Sequence, residues 1–237
     1  KFGARSQAAV AAEFRKHDDP AHVFLHLDHV PVIDEDDKRV DWRASIAEAL
    51  GLGYASVMLD GSRLALEENI AAVREAAGMA HAAGAACEAE LGAVLGHEAG
   101  PLPPYEELFR TGRGFTRVEE ATRFVRETGV DWLSVAVGSV HGAVSDALKT
   151  QKKVEGRISL DQIAKLQAAT GIPLVLHGGS GVRQADVLAA MKKGIAKINV
   201  GTEIRQAYEK GLAEGGEDRA VEATYGRTAS LIRDYFG

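Results

Sequence analysis

Short apolar, β-branched runs alternate with longer amphipathic stretches along nearly the whole sequence, and this alternation restricts the fold more than any other feature. Strands are predicted at residues 22–28, 56–60, 86–91, 132–138, 174–177 and 197–200. The stretches between them carry helix signals. Thr116 with Glu119 and Ser159 with Gln162 have capping-box spacing, and Gly129 and Gly171 stand where a left-handed residue closes a helix. Strand and helix in strict succession imply an α/β fold with a parallel sheet. Polar residues gather where strands end: Asp28 and His29, Asp60, Glu90, His141, His177 and Asn199. That pattern fits a (β/α) barrel, whose active site is built at the C-terminal rim. An open doubly wound sheet would instead carry a glycine-rich phosphate fingerprint after its first strand, and the sequence has none.

With 237 residues, 46% of them apolar, and a formal net charge of −6, the chain has the composition of one soluble domain spanning residues 1–237, with C-terminal helices over about 203–237. The only basic cluster is at residues 149–153, so a nucleic-acid partner is not expected; binding to a phosphate backbone rests on many Lys and Arg contacts. No apolar run approaches the roughly 20 residues of a membrane span. A single cysteine, Cys87, forms no internal disulfide, and the opening segment reads as helix without the features of a signal peptide; a cytoplasmic location is expected. The long segments 92–114 and 139–157 leave strand ends and are read as lids over a site.

His29, His141 and His177 come from three different strand ends, which in a barrel surround one point. Taken singly, a histidine near a strand end is ordinarily a hydrogen-bonded rim residue. Three neutral imidazoles together suit Zn²⁺ and leave a coordination position open, as in catalytic zinc sites. Asp28 precedes His29 and, by strand alternation, faces inward with Phe24 and His26; it either addresses the open metal position or orients a ligand. Gly178, Gly179, Ser180 and Gly181 free the backbone to turn N–H groups toward an anion. Asn199, Gly201 and Thr202 open a further helix after the next strand, where barrels often hold phosphate.

These segments, HLDH, SVMLDGS, EAELGAVLGHE, AVGSVHG, LVLHGGSG and KINVGTE, occur in order between residues 22 and 208. In sequence and spacing they resemble the successive strand-end motifs of the class II fructose- and tagatose-bisphosphate aldolases. The resemblance implies a (β/α)8 barrel with its first two strands absent from the sequence, and hence a piece of a longer chain. It implies that His29, His141 and His177 hold a catalytic zinc, and that Asp28 and Glu98 are the two proton-transfer groups. Gly142, Gly178, Gly179, Ser180, Asn199, Gly201 and Thr202 would cradle the phosphate of the dihydroxyacetone phosphate half. Asp60 and Glu90 match positions of an accessory divalent or monovalent cation, and serve equally well as structural rim carboxylates. The implied activity is reversible aldol cleavage of a ketose 1,6-bisphosphate, of fructose or tagatose type, by a homodimer or larger homo-oligomer. The chemistry is coherent: cleavage leaves an enediolate whose charge Zn²⁺ can stabilise, so no Schiff-base lysine is needed. A metal-dependent sugar-phosphate isomerase or hydrolase, and a non-catalytic phosphate-binding relative, are the alternative readings.

Overall fold

The computed structural model describes residues 6–17, 19–92, 105–139 and 157–236. Strands and helices alternate as β1 (His26–Pro31), α2 (Trp42–Gly51), β2 (Ser56–Asp60), α3 (Leu66–Ala82), β3 (Ala86–Leu91), α4 (Tyr105–Thr111), α5 (Val118–Thr128), β4 (Trp132–Val135), α6 (Leu160–Thr170), β5 (Leu174–Leu176), α7 (Gln184–Met191), β6 (Ile195–Ile198) and α8 (Thr202–Phe236), preceded by α1 (Gln7–Phe14). The six strands follow chain order in the sheet, and the pairs β1–β2, β2–β3 and β5–β6 are parallel. The chain divides into two compact units, one of Lys1–Gly92, Arg117–Ser134 and Ala169–Ile172, the other of Ala93–Thr116, Val135–Ala168 and Pro173–Gly237.

In the first unit β2 and β3 are buried along almost their whole length rather than at alternate positions, with Val57, Met58, Leu59, Cys87 and Ala89 fully enclosed. Continuous burial is what a parallel strand covered on both faces requires. One face of α3 is lined by Ile70, Val73, Ala76, Ala77 and Ala80, and α5 packs on α3 with Ala121, Phe124 and Thr128 turned inward. Their spacing of three and four residues is that of a helical stripe facing a core. Gly129, at φ +71°, closes α5. Gly61 follows β2 because a Cβ there would stand 2.1 Å from Asn69 Oδ1, while the Asn69 amide donates to the Glu90 carbonyl at 3.2 Å. Burial, with Asp131 and Glu88 nearby, pushes the Cys87 thiol up to about 12, which makes it an inert core residue.

In the second unit Leu174, Val175 and Leu176 of β5 are fully buried, as are Ile163 and Leu166 of α6 and Val187 and Ala190 of α7. Ser159 caps α6, accepting from the Gln162 N–H at 3.3 Å. Gly215 and Gly216 break α8, and Gly211 lets its two segments approach: a Cβ there would lie 2.7 Å from the α-carbon of Ala220.

Several boundaries differ from the sequence reading. β1 begins at His26, because Asp19 and Pro20 start a turn in which the His22 and Val23 N–H groups donate to the Asp19 carbonyl. β4 ends at Val135; beyond it Thr116 takes over the backbone, its N–H donating to the Ala136 carbonyl at 2.8 Å and its hydroxyl accepting from the Ala136 N–H at 2.8 Å. Thr116 is therefore not the cap of α5, whose N-cap is Arg117 without a side-chain bond. β6 spans Ile195–Ile198, so Asn199 follows it. The helix α4 occupies part of the segment 92–114. Residues 93–104 and 140–156, with most of both expected lids, lie outside the described residues. Among the described residues no helix is long and apolar enough to cross a membrane.

Candidate active site

Three strand ends of the first unit build one group of polar side chains. Along β1 and β2 the register is His26 with Ser56 and Leu27 with Val57, but then Val30 with Leu59. Three steps on β1 thus match two on β2, a bulge that takes in Asp28 and His29. His29 absorbs the extra residue in the left-handed region, at φ +48°, a conformation uncommon outside glycine and concentrated at functional sites. The bulge gives consecutive residues different partners. Asp28 Oδ1 lies 3.3 Å from His26 Nε2, while His29 Nδ1 lies 3.6 Å from Asp60 Oδ2.

Glu88 and Glu90 share a face of β3 by alternation and are both buried. Glu90 faces Ser134, whose hydroxyl is 3.5 Å from its carboxylate, and Glu88 Oε2 is 3.6 Å from His26 Nε2. Burial pushes the Asp60 carboxyl up, but attraction to the His29 ring and hydrogen bonds from the Ser62 hydroxyl, at 2.6 Å, and the Ser62 N–H outweigh it and hold Asp60 at about 2. Asp60 is a carboxylate over the whole physiological range.

His29, Asp60 and Glu90 each offer one ligand atom, and these atoms lie within 4.8 Å of one another. One imidazole and two carboxylates form a mixed nitrogen and oxygen donor set that fits a divalent cation such as Zn²⁺. The structure thus brings Asp60 and Glu90, expected at an accessory ion, to the same histidine expected at the zinc. His26, Asp28 and Glu88 form a second convergent group. Sequence reasoning placed His26 inside but gave neither it nor Glu88 a role; the alternation of Glu88 with Glu90 was the signal that marks both as facing inward.

In the second unit His177 directly follows β5 and is fully buried. Gly178 turns the chain at φ +72°, and Gly179–Gly181 form a 3-10 turn. The Gly179 N–H donates to the Asn199 carbonyl at 3.2 Å, and the Asn199 N–H donates to the Leu176 carbonyl at 2.9 Å, so these two expected phosphate segments are tied together. Only glycine fits at 179, since a Cβ would lie 2.5 Å from Ile198 Cγ2. Asn199 leads through Gly201 to Thr202, the first residue of α8, whose opening turn directs N–H groups outward. Glu98, His141 and Gly142 lie outside the described residues.

An α/β chain whose first unit gathers histidine and carboxylate side chains at the C-terminal ends of parallel strands carries the donor set of a metal site. Residues 1–232 match the family model for class II fructose-bisphosphate aldolase, and the chain belongs to that family. It is 36% identical over 205 residues to the fructose-bisphosphate aldolase of Streptococcus pyogenes, covering 86% of this chain and 61% of that protein. It is 38% identical over 186 residues to the 6-phospho-5-dehydro-2-deoxy-D-gluconate aldolase of Shouchella clausii, covering 78% of this chain and 55% of that one. The chain therefore spans about three fifths of the length of the curated relatives it matches. Among solved structures it is similar to the YdjI aldolase of Escherichia coli K12, with a TM-score of 0.76 and 28% identity over 99% of this chain and 78% of that one. The fructose-bisphosphate aldolase of Campylobacter jejuni shares the fold, with a TM-score of 0.71 at 20% identity over 97% of this chain and 75% of that one.

Proposed function

We propose that the protein is a zinc-dependent aldolase that reversibly cleaves a ketose 1,6-bisphosphate to dihydroxyacetone phosphate and an aldehyde such as glyceraldehyde 3-phosphate. The observation that carries the proposal is the convergence of Asp28, His29, Asp60 and Glu90 at neighbouring strand ends in a chain of the class II aldolase family. His29, His141 and His177 are proposed as the zinc ligands, with Asp60 and Glu90 available to a second position of the ion or to an accessory cation. Bound zinc would supply Lewis-acid stabilisation of negative charge on the ketose oxygens. Asp28, half-exposed beside His29, would take the proton from the hydroxyl at the carbon that becomes the aldehyde. Glu98 would deliver a proton to the carbon that becomes the hydroxymethyl group of dihydroxyacetone phosphate. Gly142, Gly178, Gly179, Ser180, Asn199, Gly201 and Thr202 would hold the phosphate of that half, with the start of α8 adding its N–H groups and dipole.

The six strands are proposed as part of a single (β/α)8 barrel domain covering residues 1–237, a reading supported by the sheet order and by the likeness to YdjI. Phosphorylated sugars are intracellular metabolites, and a cytoplasmic location belongs to the same proposal. Tyr208, Leu212, Val221, Tyr225 and Ile232 of α8 are exposed apolar residues and support a homo-oligomeric contact there. Light scattering should give at least twice the chain mass; a monomeric mass at micromolar concentration would overturn that contact.

Substrate choice is tested by incubating the zinc-loaded protein with fructose 1,6-bisphosphate, tagatose 1,6-bisphosphate and 6-phospho-5-dehydro-2-deoxy-D-gluconate. Dihydroxyacetone phosphate formed with either bisphosphate supports the proposal, and the faster sugar identifies the type. Rearranged sugar phosphate or free phosphate without a three-carbon product would favour an isomerase or a hydrolase instead.

A further inference from the structure

The polar group beneath Asp28 is joined through the ring of His26. His26 stands opposite Ser56 in the β1–β2 register, and its Nδ1 is 2.8 Å from the Ser56 hydroxyl, which is buried at 4% exposure. Its other nitrogen, Nε2, lies 3.3 Å from Asp28 Oδ1 and 3.6 Å from Oε2 of Glu88, a carboxylate with no exposed surface. The ring of Trp132, centred 6.2 Å away and tilted by 45°, flanks the imidazole. Of the two ring nitrogens, Nε2 is the one turned toward carboxylate oxygens, which accept from an N–H. Nδ1 meets the Ser56 hydroxyl, which can donate to it or accept from it. The result is a chain of contacts that runs from Ser56 through His26 to Asp28.

We infer that His26 is a positioning residue that aims the Asp28 carboxylate at the substrate hydroxyl. Asp28 needs such a device. It sits in the β1 bulge and is 41% exposed, so close packing alone does not select one rotamer for it. His26 is itself fixed from three sides, by Ser56 at Nδ1, by Trp132 beside the ring and by the buried Glu88 carboxyl beside Nε2. One Asp28 oxygen, Oδ1, thereby lies against His26 Nε2 at 3.3 Å, and the other, Oδ2, is on the His29 side of the site, 3.9 Å from His29 Nε2. His26 makes this contribution through Asp28 and touches no substrate atom.

The inference rests on the proposed aldolase reading and on the role given there to Asp28, and the test separates the two. Two reactions are followed in the zinc-loaded full chain: cleavage of the preferred ketose bisphosphate, which uses Asp28, and exchange of a carbon-bound hydrogen of dihydroxyacetone phosphate with deuterated water, which uses Glu98 and not Asp28. His26→Ala is expected to lower kcat for cleavage about 10- to 100-fold, the usual size of an effect transmitted through a hydrogen-bonded partner. KM, zinc content and the exchange rate should stay within about twofold, because substrate, metal and carbon-side proton transfer are untouched. His26→Gln, whose amide nitrogen reaches the Nε2 position, should recover at least several-fold of the lost kcat, and Ser56→Ala should lower kcat in the same direction by less. Cleavage unchanged in His26→Ala and in Ser56→Ala would overturn the inference while leaving the aldolase reading intact. A parallel fall of cleavage, exchange and zinc content in all three variants would also overturn it, by marking His26 as a general support of the fold. Wild-type protein that performs neither reaction would overturn the aldolase reading and this inference with it.

Discussion

Replacing Asp28 by asparagine is expected to lower kcat for ketose bisphosphate cleavage by about 100- to 10,000-fold, the range that a positioned acid/base contributes. Asparagine keeps the size of the side chain and can still place an oxygen beside His26 Nε2, so the geometry at the bulge is preserved. What it loses is the capacity to take a proton from the hydroxyl whose carbon becomes the aldehyde. Zinc content and the circular dichroism spectrum should match the wild type, and hydrogen exchange at dihydroxyacetone phosphate should persist, since that step is assigned to Glu98. Cleavage within about threefold of wild type in the folded, zinc-loaded variant would remove Asp28 from the mechanism.

The largest expected effect on stability is at Phe124. It is the largest fully buried side chain among the described residues and lies on the inward face of α5, where the helix packs against α3. Truncation to alanine removes an aromatic ring from a site that helix–helix packing prevents from collapsing. Lost transfer free energy and a residual cavity together cost about 3–5 kcal/mol. At this chain length that lowers the melting temperature by about 10 °C. Arg126→Ala, on the exposed side of the same helix, is the control and should fall within about 0.5 kcal/mol of wild type. Equal melting temperatures for Phe124→Ala and Arg126→Ala would mean that the α3–α5 interface does not hold the first unit together.

The order of elements was legible in the sequence because short strand-like runs alternate with longer amphipathic stretches, and the runs at 56–60 and 86–91 coincide with β2 and β3. Strand ends were less legible, because apolar content alone does not say where pairing stops. The run from His22 to Leu25 looks like strand, yet Asp19 and Pro20 commit its start to a turn. Thr116 has the spacing of a cap, but its hydroxyl is drawn to the Ala136 N–H by the chain leaving β4, a contact between residues 20 apart in sequence. At the site, alternation predicted that His26 and Asp28 share a face, and they do meet. The bulge was not foreseeable, since neither Asp28 nor His29 is a glycine and nothing local announces a left-handed residue at 29. It is that bulge which lets two consecutive side chains both serve the rim, and it explains why His29 reaches Asp60. The role of Ser56 and Glu88 depends on cross-strand register, which a single sequence does not encode.

The central claim is that this chain belongs to an enzyme that breaks a carbon–carbon bond with the help of a metal held at these strand ends. Its most direct test is the rate of dihydroxyacetone phosphate release from the preferred ketose bisphosphate in three states of one preparation: as purified with zinc, after exhaustive chelation, and after zinc is restored. The account predicts release in the first state, loss of more than about 99% of it in the second and recovery in the third, as expected when the ion is the Lewis acid of the reaction. Release that survives chelation undiminished, in protein confirmed to be metal-free, would contradict it.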